Sequence, residues 1–292
     1  MMTTRDRVTL AVMVAVPALL VLCIVWLPTI GTVVLSFTGW NGIGGLDRVN
    51  FIGLENYENI TTNYPPFWTA VRNNVLWLVV LFFVATPLGM FLAVLLDRDL
   101  KGSWFYRSSI YLPVVLSLAL AGFIWQLIYS RDQGLLNAAL GLDGPDRVDW
   151  YGDPSVNIWA VLVAASWRHV GYIMLLYLAG LKSVDLALKE AAAMDGASET
   201  RTFFSVVLPT LAPINVVVLV VTVIESLRAF DLVWVVNRGR NGLELLSALV
   251  QANIVGEASL VGFGSAMATI LLVIAMVFVV PYLGSILREE RR

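Results

Sequence analysis

Six stretches of this 292-residue chain, roughly 9–35, 75–96, 107–129, 158–180, 211–234 and 262–286, are apolar over a length that can cross a bilayer. A membrane helix needs about 20 mostly apolar residues to span roughly 30 Å of hydrocarbon. Lipid offers no partner to an unpaired backbone N–H or C=O, so each stretch is predicted to be a helix. No alternating ten-residue pattern of the membrane-barrel kind repeats along the chain. Composition agrees: 59% of residues are hydrophobic, 14% are charged and the mean hydropathy is +0.80, against about a quarter charged in soluble domains. The expectation is an all-α integral membrane protein, a single transmembrane domain over 1–292, with lipid around it.

The formal net charge of −2 is too small to suggest a nucleic-acid or membrane-surface partner, and no run of Lys or Arg reads as a polybasic arm. A lone cysteine, Cys23, rules out an internal disulfide and a thiolate metal cluster. The first apolar stretch follows Arg5 and Arg7 as a signal peptide would. Its apolar run is about twice the usual length and no A-x-A site follows, so it reads as a retained anchor.

With the N-terminus in the cytoplasm, the inner segments hold Arg5, Arg7, Arg98, Lys101, Arg107, Lys182, Lys189, Arg201, Arg288, Arg291 and Arg292. That is eleven of the nineteen basic residues, giving +2 inside and −4 elsewhere. The sign agrees with the positive-inside rule, and six spans return the C-terminus to the cytoplasm. Trp40, Trp68, Trp104, Trp150 and Trp159 fall near span ends, where an indole keeps its ring in the acyl boundary and its N–H in the headgroup layer. The outer segments 38–74 and 130–157 are too short for independent domains.

Between the fourth and fifth stretches, segment 183–209 has a helix grammar of its own. Ser183 is predicted to cap a helix running to about Asp195, Gly196 offers a left-handed stop, and Ser198 caps a second helix that Pro209 closes. The first helix presents Ala187, Ala191, Ala192 and Ala193, small enough for a partner backbone to come close, with Glu190 able to meet a partner Arg; the second carries Phe203 and Phe204. An ordinary capped turn between two spans would look similar in its alanines alone.

The register separates the two readings. Glu190-Ala191-Ala192, three residues, Gly196, nine residues, then Val206-Val207-Leu208-Pro209 resembles the signature E-A-A-x3-G-x9-I-x-L-P of the membrane subunits of binding-protein-dependent ABC importers, with Val206 where Ile is usual. Other pieces narrow the likeness to the carbohydrate-type permeases of the maltose and glycerol-phosphate group. Phe51-Ile52-Gly53-Leu54-Glu55-Asn56-Tyr57 resembles their F-x-G-L-x-N-Y, and Gly134-Leu135-Leu136-Asn137 their outer G-L-L-N turn. Trp167, Gly171-Tyr172, Leu178-Ala179-Gly180-Leu181, Ala229-Phe230-Asp231 and Gly262-Phe263-Gly264-Ser265-Ala266 also fit. The resemblance implies the type I importer fold. It further implies that Glu190, Ala191, Ala192, Asp195, Gly196, Phe203, Phe204, Leu208 and Pro209 form a cytoplasmic contact with an ATPase. One departure stands where the family often has T-x-G-G-P: this chain reads Asn237-Arg238-Gly239-Arg240-Asn241-Gly242, a more basic turn suited to an acidic solute or to a different binding protein. The large extra periplasmic domain of the maltose type is also absent.

Ionisable residues inside apolar spans are costly and usually face a bundle interior or a water-filled cavity. Glu225, Arg228 and Asp231 recur at intervals of three, so they are expected to share one face of the fifth helix and pair with each other, or else to touch the solute. Arg168 and His169 form a second pair in the fourth span, with His169 expected to be a packed side chain. Trp167 and Tyr172 are candidate faces for a sugar ring, beside Trp125, Tyr177 and Trp234.

No G-x-x-x-x-G-K-[ST], H-E-x-x-H, G-x-S-x-G or metal-spaced Cys/His set occurs. The chain is expected to be no enzyme and to hold no cofactor, with ATP and Mg bound by a partner ATPase. The leading expectation is an inner-membrane permease importing a sugar, polyol or sugar phosphate by alternating access. Its partners would be a homologous second permease, two ATPase subunits and an extracytoplasmic binding protein. An ion-driven secondary transporter would explain Glu225 and Asp231 but not the loop; a non-transporting scaffold that recruits an ATPase would explain the loop but not the charges.

Overall fold

The computed structural model describes residues 3–45, 47, 49–98, 101–256 and 259–289. Of the basic residues counted above as inner, the side chains of Arg7 and Arg288 and the whole of Arg291 and Arg292 lie outside that description. Among the described residues there is no strand, only an isolated antiparallel bridge between Thr38 and Phe51.

Among the described residues four helices are long and apolar enough to cross a membrane: α1 (Thr9–Leu35), a 33-residue helix at Pro65–Asp97, a third at Asn157–Ser183 and a fourth at Val261–Pro281. With α2 (Glu55–Thr62) following α1, the Pro65–Asp97 helix is α3. It starts ten residues before the expected boundary because Pro65 and Pro66 occupy its first turn, where a missing N–H has nothing to lose.

Two stretches expected as single helices are broken instead. The third consists of α4 (Ser103–Val115) and α5 (Leu118–Ile128), bent by 103°. Pro113 removes a bond near the end of α4, Leu116 and Ser117 turn extended, and the Ser117 hydroxyl caps the new helix at Leu120. After α6 (Asn157–Ser183) come α7 (Leu186–Met194), α8 (Glu199–Thr210), α9 (Ala212–Leu227) and α10 (Asp231–Asn237). The chain bends by 74° at Leu211, between α8 and the run Ala212–Asn237. Asn215 Nδ2 donates to the Leu208 carbonyl that the bend frees. The second break, at Arg228–Phe230, separates α9 from α10. Last come α11 (Leu246–Ile254) and α12 (Val261–Glu289).

Three helices widen to a five-residue hydrogen-bond step, at Leu22–Trp26, Leu81–Ala85 and Phe203–Val207. Each widening sits just before a proline: Pro28, Pro87 and Pro209. A proline cannot donate to the carbonyl four residues back, and shifting the ladder by one residue keeps the neighbouring carbonyls paired without ending the helix.

The chain divides into two compact units. One comprises residues up to Pro65 and Leu249–Val273. Here Asn56 Nδ2 donates to the carbonyls of both Ser36 and Thr38, and the Tyr57 hydroxyl meets Ser36 Oγ at 2.6 Å, so the F-x-G-L-x-N-Y segment ties α2 to the end of α1. Gly262 donates its N–H to the Trp40 carbonyl at 2.8 Å, and a Cβ on it would stand 2.0 Å from the Thr38 carbonyl oxygen.

The other unit comprises Pro66–Ala248 and the chain from Ile274 on. Between helices in lipid there is no hydrophobic driving force, and association rests on close packing with small residues at the contacts. Gly89 of α3 lies against the backbone of Val170, and Gly171 of α6 against the Ile110 carbonyl of α4. Two clusters fill this unit: one around Trp77, Leu81, Val161, Leu162, Val233, Leu243 and Leu245, the other around Ala93, Leu96, Ile173, Met174, Leu181, Val207 and Leu211.

Candidate functional site

The segment carrying the signature folds as two helices at an angle, with one correction to its start. Asp185 caps α7 by accepting the N–H of Ala187, whereas the Ser183 hydroxyl donates back to the Gly180 carbonyl and closes α6. Gly196 takes φ 77°, where a side chain would be strained, and so turns the chain from α7 to Ser198, whose hydroxyl accepts from Arg201 N.

Helical spacing divides α7 into two faces. Lys189, Ala192 and Ala193 face the rest of the unit: Ala192 is buried, and Lys189 and Ala193 line a groove beneath the helix. Glu190 and Ala191 point away and are exposed, as are Leu186, Ala187 and Met194. Asp195, Gly196 and Pro209 are exposed as well, while Leu208 is half-buried. Phe203 and Phe204 touch edge to face with centroids 5.2 Å apart, but Phe203 packs into the core while Phe204 is 59% exposed. Met194, 89% exposed beside the Gly196 turn, was not singled out in the sequence; an apolar residue in the last turn, on the face of Glu190, was the available signal.

The intramembrane charges gather around a cavity of about 230 Å³ lined by α3, α5, α6, α9 and the break before α10. Arg168, His169, Glu225, Arg228 and Asp231 all border it, with Trp77 and Phe230 among its apolar walls. The expected pairing within the fifth span does not occur. Glu225 instead meets Arg168 of α6 at 3.4 Å, and among the described residues neither Arg228 nor Asp231 makes an ion pair. The reason is the break: Arg228 ends α9 and Asp231 begins α10, so the three residues do not lie on one helix. His169 is buried, its Nε2 within 3.3 Å of Thr86 Oγ1 and 3.2 Å of Thr222 Oγ1.

Interrupted helices leave backbone groups that can bind a solute, and they are tolerated at membrane depth only where they line a cavity or are buried in protein. Here the Ala229 carbonyl accepts from Ser247 Oγ and the Ser226 carbonyl from Asn74 Nδ2. Trp167 and Tyr172 do not line the cavity: Trp167 packs edge-on against Trp125 at 5.7 Å, and Tyr172 against the second core cluster.

The basic turn at 237–242 is self-locked. Arg238, Gly239, Asn241 and Gly242 all take positive φ, and the Asn237 side chain bonds both the N–H and the carbonyl of Arg240. Asn73 Nδ2 donates to the carbonyls of Gly242 and Glu244, and Asn157 Nδ2 to that of Asn241, which leaves the Arg238 and Arg240 side chains exposed.

Comparison with known proteins bears on the family and the fold. A family model described as "Binding-protein-dependent transport system inner membrane component" matches residues 85–290. A probable ABC transporter permease of Pyrococcus horikoshii is 33% identical, over 95% of this chain and 95% of its own. A xylose/arabinose import permease of Haloferax volcanii is 35% identical over 85% of this chain and 78% of its own. A trehalose/maltose transport system permease of Thermococcus litoralis is 31% identical over 90% and 88%. Among solved structures, a chain of a bacterial ABC transporter that imports the acidic polysaccharide alginate superposes with a TM-score of 0.82, at 20% identity, over 97% of this chain and 96% of its own.

Proposed function

Because the chain belongs to the family of binding-protein-dependent transport system inner membrane components, we propose that it forms half of a pathway through which a neutral sugar or polyol is imported, driven by ATPase subunits docked on α7. Membership makes it a multi-pass inner-membrane permease subunit, itself non-catalytic, that works with a solute-binding protein. The finer assembly belongs to the proposal: a second, homologous permease, two ATPases that hold the ATP and Mg, and both termini of this chain on the ATPase side.

The outward face of α7 carries this reading. Glu190, Ala191 and Met194 stand together and unburied on a helix in register with the family signature, with Phe204 exposed on α8. Apolar side chains beside a charge, with small residues allowing close approach, suit insertion into a cleft of a soluble partner. The balanced charges of the cavity and the xylose/arabinose and trehalose/maltose permeases among the relatives support this solute class. Arg168 and Arg228 balance Glu225 and Asp231 around one space, which favours many hydroxyls over a net charge. The exposed Arg238 and Arg240 then serve the contact with the binding protein, and the sugar phosphate among the expected solutes is disfavoured. The ion-driven reading and the scaffold reading each leave one of these two features without a role.

The test is Glu190→Arg in the reconstituted complex, with ATPase co-purification and solute uptake assayed together. Loss of both is expected; retained assembly with full uptake would remove α7 from the ATPase contact.

A further inference from the structure

Resting on the docking of an ATPase at α7, we propose that Asp97 is a positioning residue: it hitches the docking segment to α3, making α3 an arm that carries displacement of α7 to the cavity.

The Asp97 carboxylate takes one lysine on each oxygen. Lys182 Nζ, in the last turn of α6, is 2.8 Å from Oδ1, and Lys189 Nζ, on the inward face of α7, is 3.5 Å from Oδ2. Lys182 also donates to the Asp97 carbonyl, and Arg107 Nη2 donates to that of Leu96 at 2.6 Å. The last turn of α3 is therefore gripped from three sides by cations on other elements. The Asp97 side chain is 19% exposed, so its two pairs are less screened than the neighbouring Arg98–Glu199 pair, whose side chains are 60% and 86% exposed.

To α8 the end of α3 is also joined by the exposed Arg98–Glu199 pair and by the core cluster that Leu96 shares with Phe203 and Val207; to α7 itself the ionic link from α3 is Asp97–Lys189. Between the end of α3 and the α7–α8 segment lies a solvent-open groove of about 320 Å³, bordered by Val94, Asp97, Lys189, Ala193 and Phe203 among others. Side chains on its opposite walls are not in packing contact across it; the Asp97–Lys189 ion pair crosses it. Lys189 moves with α7, and Asp97 must follow or give up an ion pair.

The remainder of α3 reaches the cavity. Leu81 and Trp77 line it, and Thr86 Oγ1 lies within 3.4 Å of Thr222 Oγ1 on α9. The seventeen residues from Leu81 to Asp97 span about 24 Å of helix, long enough for a tilt at one end to move side chains at the other. Coupling through a packed element with two positions is the physical requirement for linking distant sites.

The experiment uses the assembled transporter with Cys23→Ala and Leu81→Cys, and reads the maleimide-labelling rate of the thiol at position 81 with and without ATP plus vanadate. With Asp97 present, trapping is expected to change that rate. Asp97→Asn is expected to abolish the change while the ATPase still co-purifies, and Asp97→Glu to restore it. The Lys182→Gln/Lys189→Gln double variant reads the same contact if Asp97→Asn fails to assemble, and is expected to abolish the change as well. An unaltered response in Asp97→Asn, or no response in the parent, would overturn the proposal. Co-purification of ATPase with Glu190→Arg would instead overturn the docking on α7, while the comparison at position 97 still decides whether α3 follows the ATPase.

Discussion

Arg168 Nη1 stands 3.4 Å from Glu225 Oε2, joining a base of α6 to an acid of α9 that lies 57 positions later in the chain. The pair closes one wall of the cavity with side chains 23% and 41% exposed, and Arg168 Nε, buried, has no partner of its own. A half-buried pair of this kind can hold two helices together or meet a solute, and the two roles separate under exchange.

Glu225→Gln is expected to cost about 0.5–1.5 kcal/mol of stability, the range for a hydrogen-bonded pair that is partly solvated, and to lower uptake. The exchanged double variant Arg168→Glu/Glu225→Arg is expected to recover the melting temperature without recovering uptake, because the solute would meet each charge on the wrong wall. Full recovery of uptake would make the pair a strut only. Thermal unfolding in detergent and initial uptake rates supply the two readouts.

Met194→Glu is expected to leave the fold intact, since a side chain 89% exposed has few contacts to lose; the change in stability should stay within about 0.5 kcal/mol. Binding of the ATPase should weaken by about tenfold or more, the usual result of placing a charge where an interface wants an apolar anchor. Pull-down of the ATPase beside a melting curve separates the two.

The helices were legible in the chain, and two of the breaks left visible marks. Pro209 closes the second helix of the loop, where a helix end is expected and where the chain bends at Leu211. Pro113 followed by Ser117 is a proline and cap signal inside an apolar run, but length and hydropathy outweigh it, so 107–129 reads as one helix. The break at Arg228–Phe230 left no mark: neither Gly nor Pro occurs there, and the geometry is held by partners far away in sequence, Asn74 on the Ser226 carbonyl and Ser247 on that of Ala229. Intervals of three therefore predicted a shared face for Glu225, Arg228 and Asp231 where there is none. Lys189 was equally hidden, because which face of α7 turns inward depends on where Asp97 ends α3.

Gly171→Ala tests the helix contact that the run before the signature encodes. A Cβ there would lie 2.3 Å from the Ile110 carbonyl oxygen, backbone that no rotamer change can move aside. Parting α4 from α6 is expected to cost about 1–3 kcal/mol, as overpacked contacts do. Gly31→Ala is the control: nothing lies within 4 Å of its Cβ position, on a helix, so it should be neutral or gain about 0.5–1 kcal/mol from helix propensity. A melting temperature as high for Gly171→Ala as for Gly31→Ala would refute the close approach.

Asn74 holds the cavity's lip to the chain beyond the basic turn. Its Nδ2 donates to the Ser226 carbonyl at 2.9 Å and its Oδ1 accepts the Leu246 N–H at 3.0 Å, in a buried position on α3. Asn74→Leu keeps the volume and removes both bonds, leaving a carbonyl at the end of α9 and an N–H at the start of α11 without partners. Each buried group left unpaired costs about 1–3 kcal/mol, so the variant should melt well below the parent. Asn63→Leu, which removes an exposed bond to Asn59, should change stability by no more than about 0.5 kcal/mol. Because Ser226 lies between Glu225 and Arg228 in the chain, the loss should also appear in transport: an Asn74→Leu protein rescued by low temperature should still assemble with its ATPase but import slowly. Normal import by the rescued protein would mean that the lip keeps its shape without Asn74.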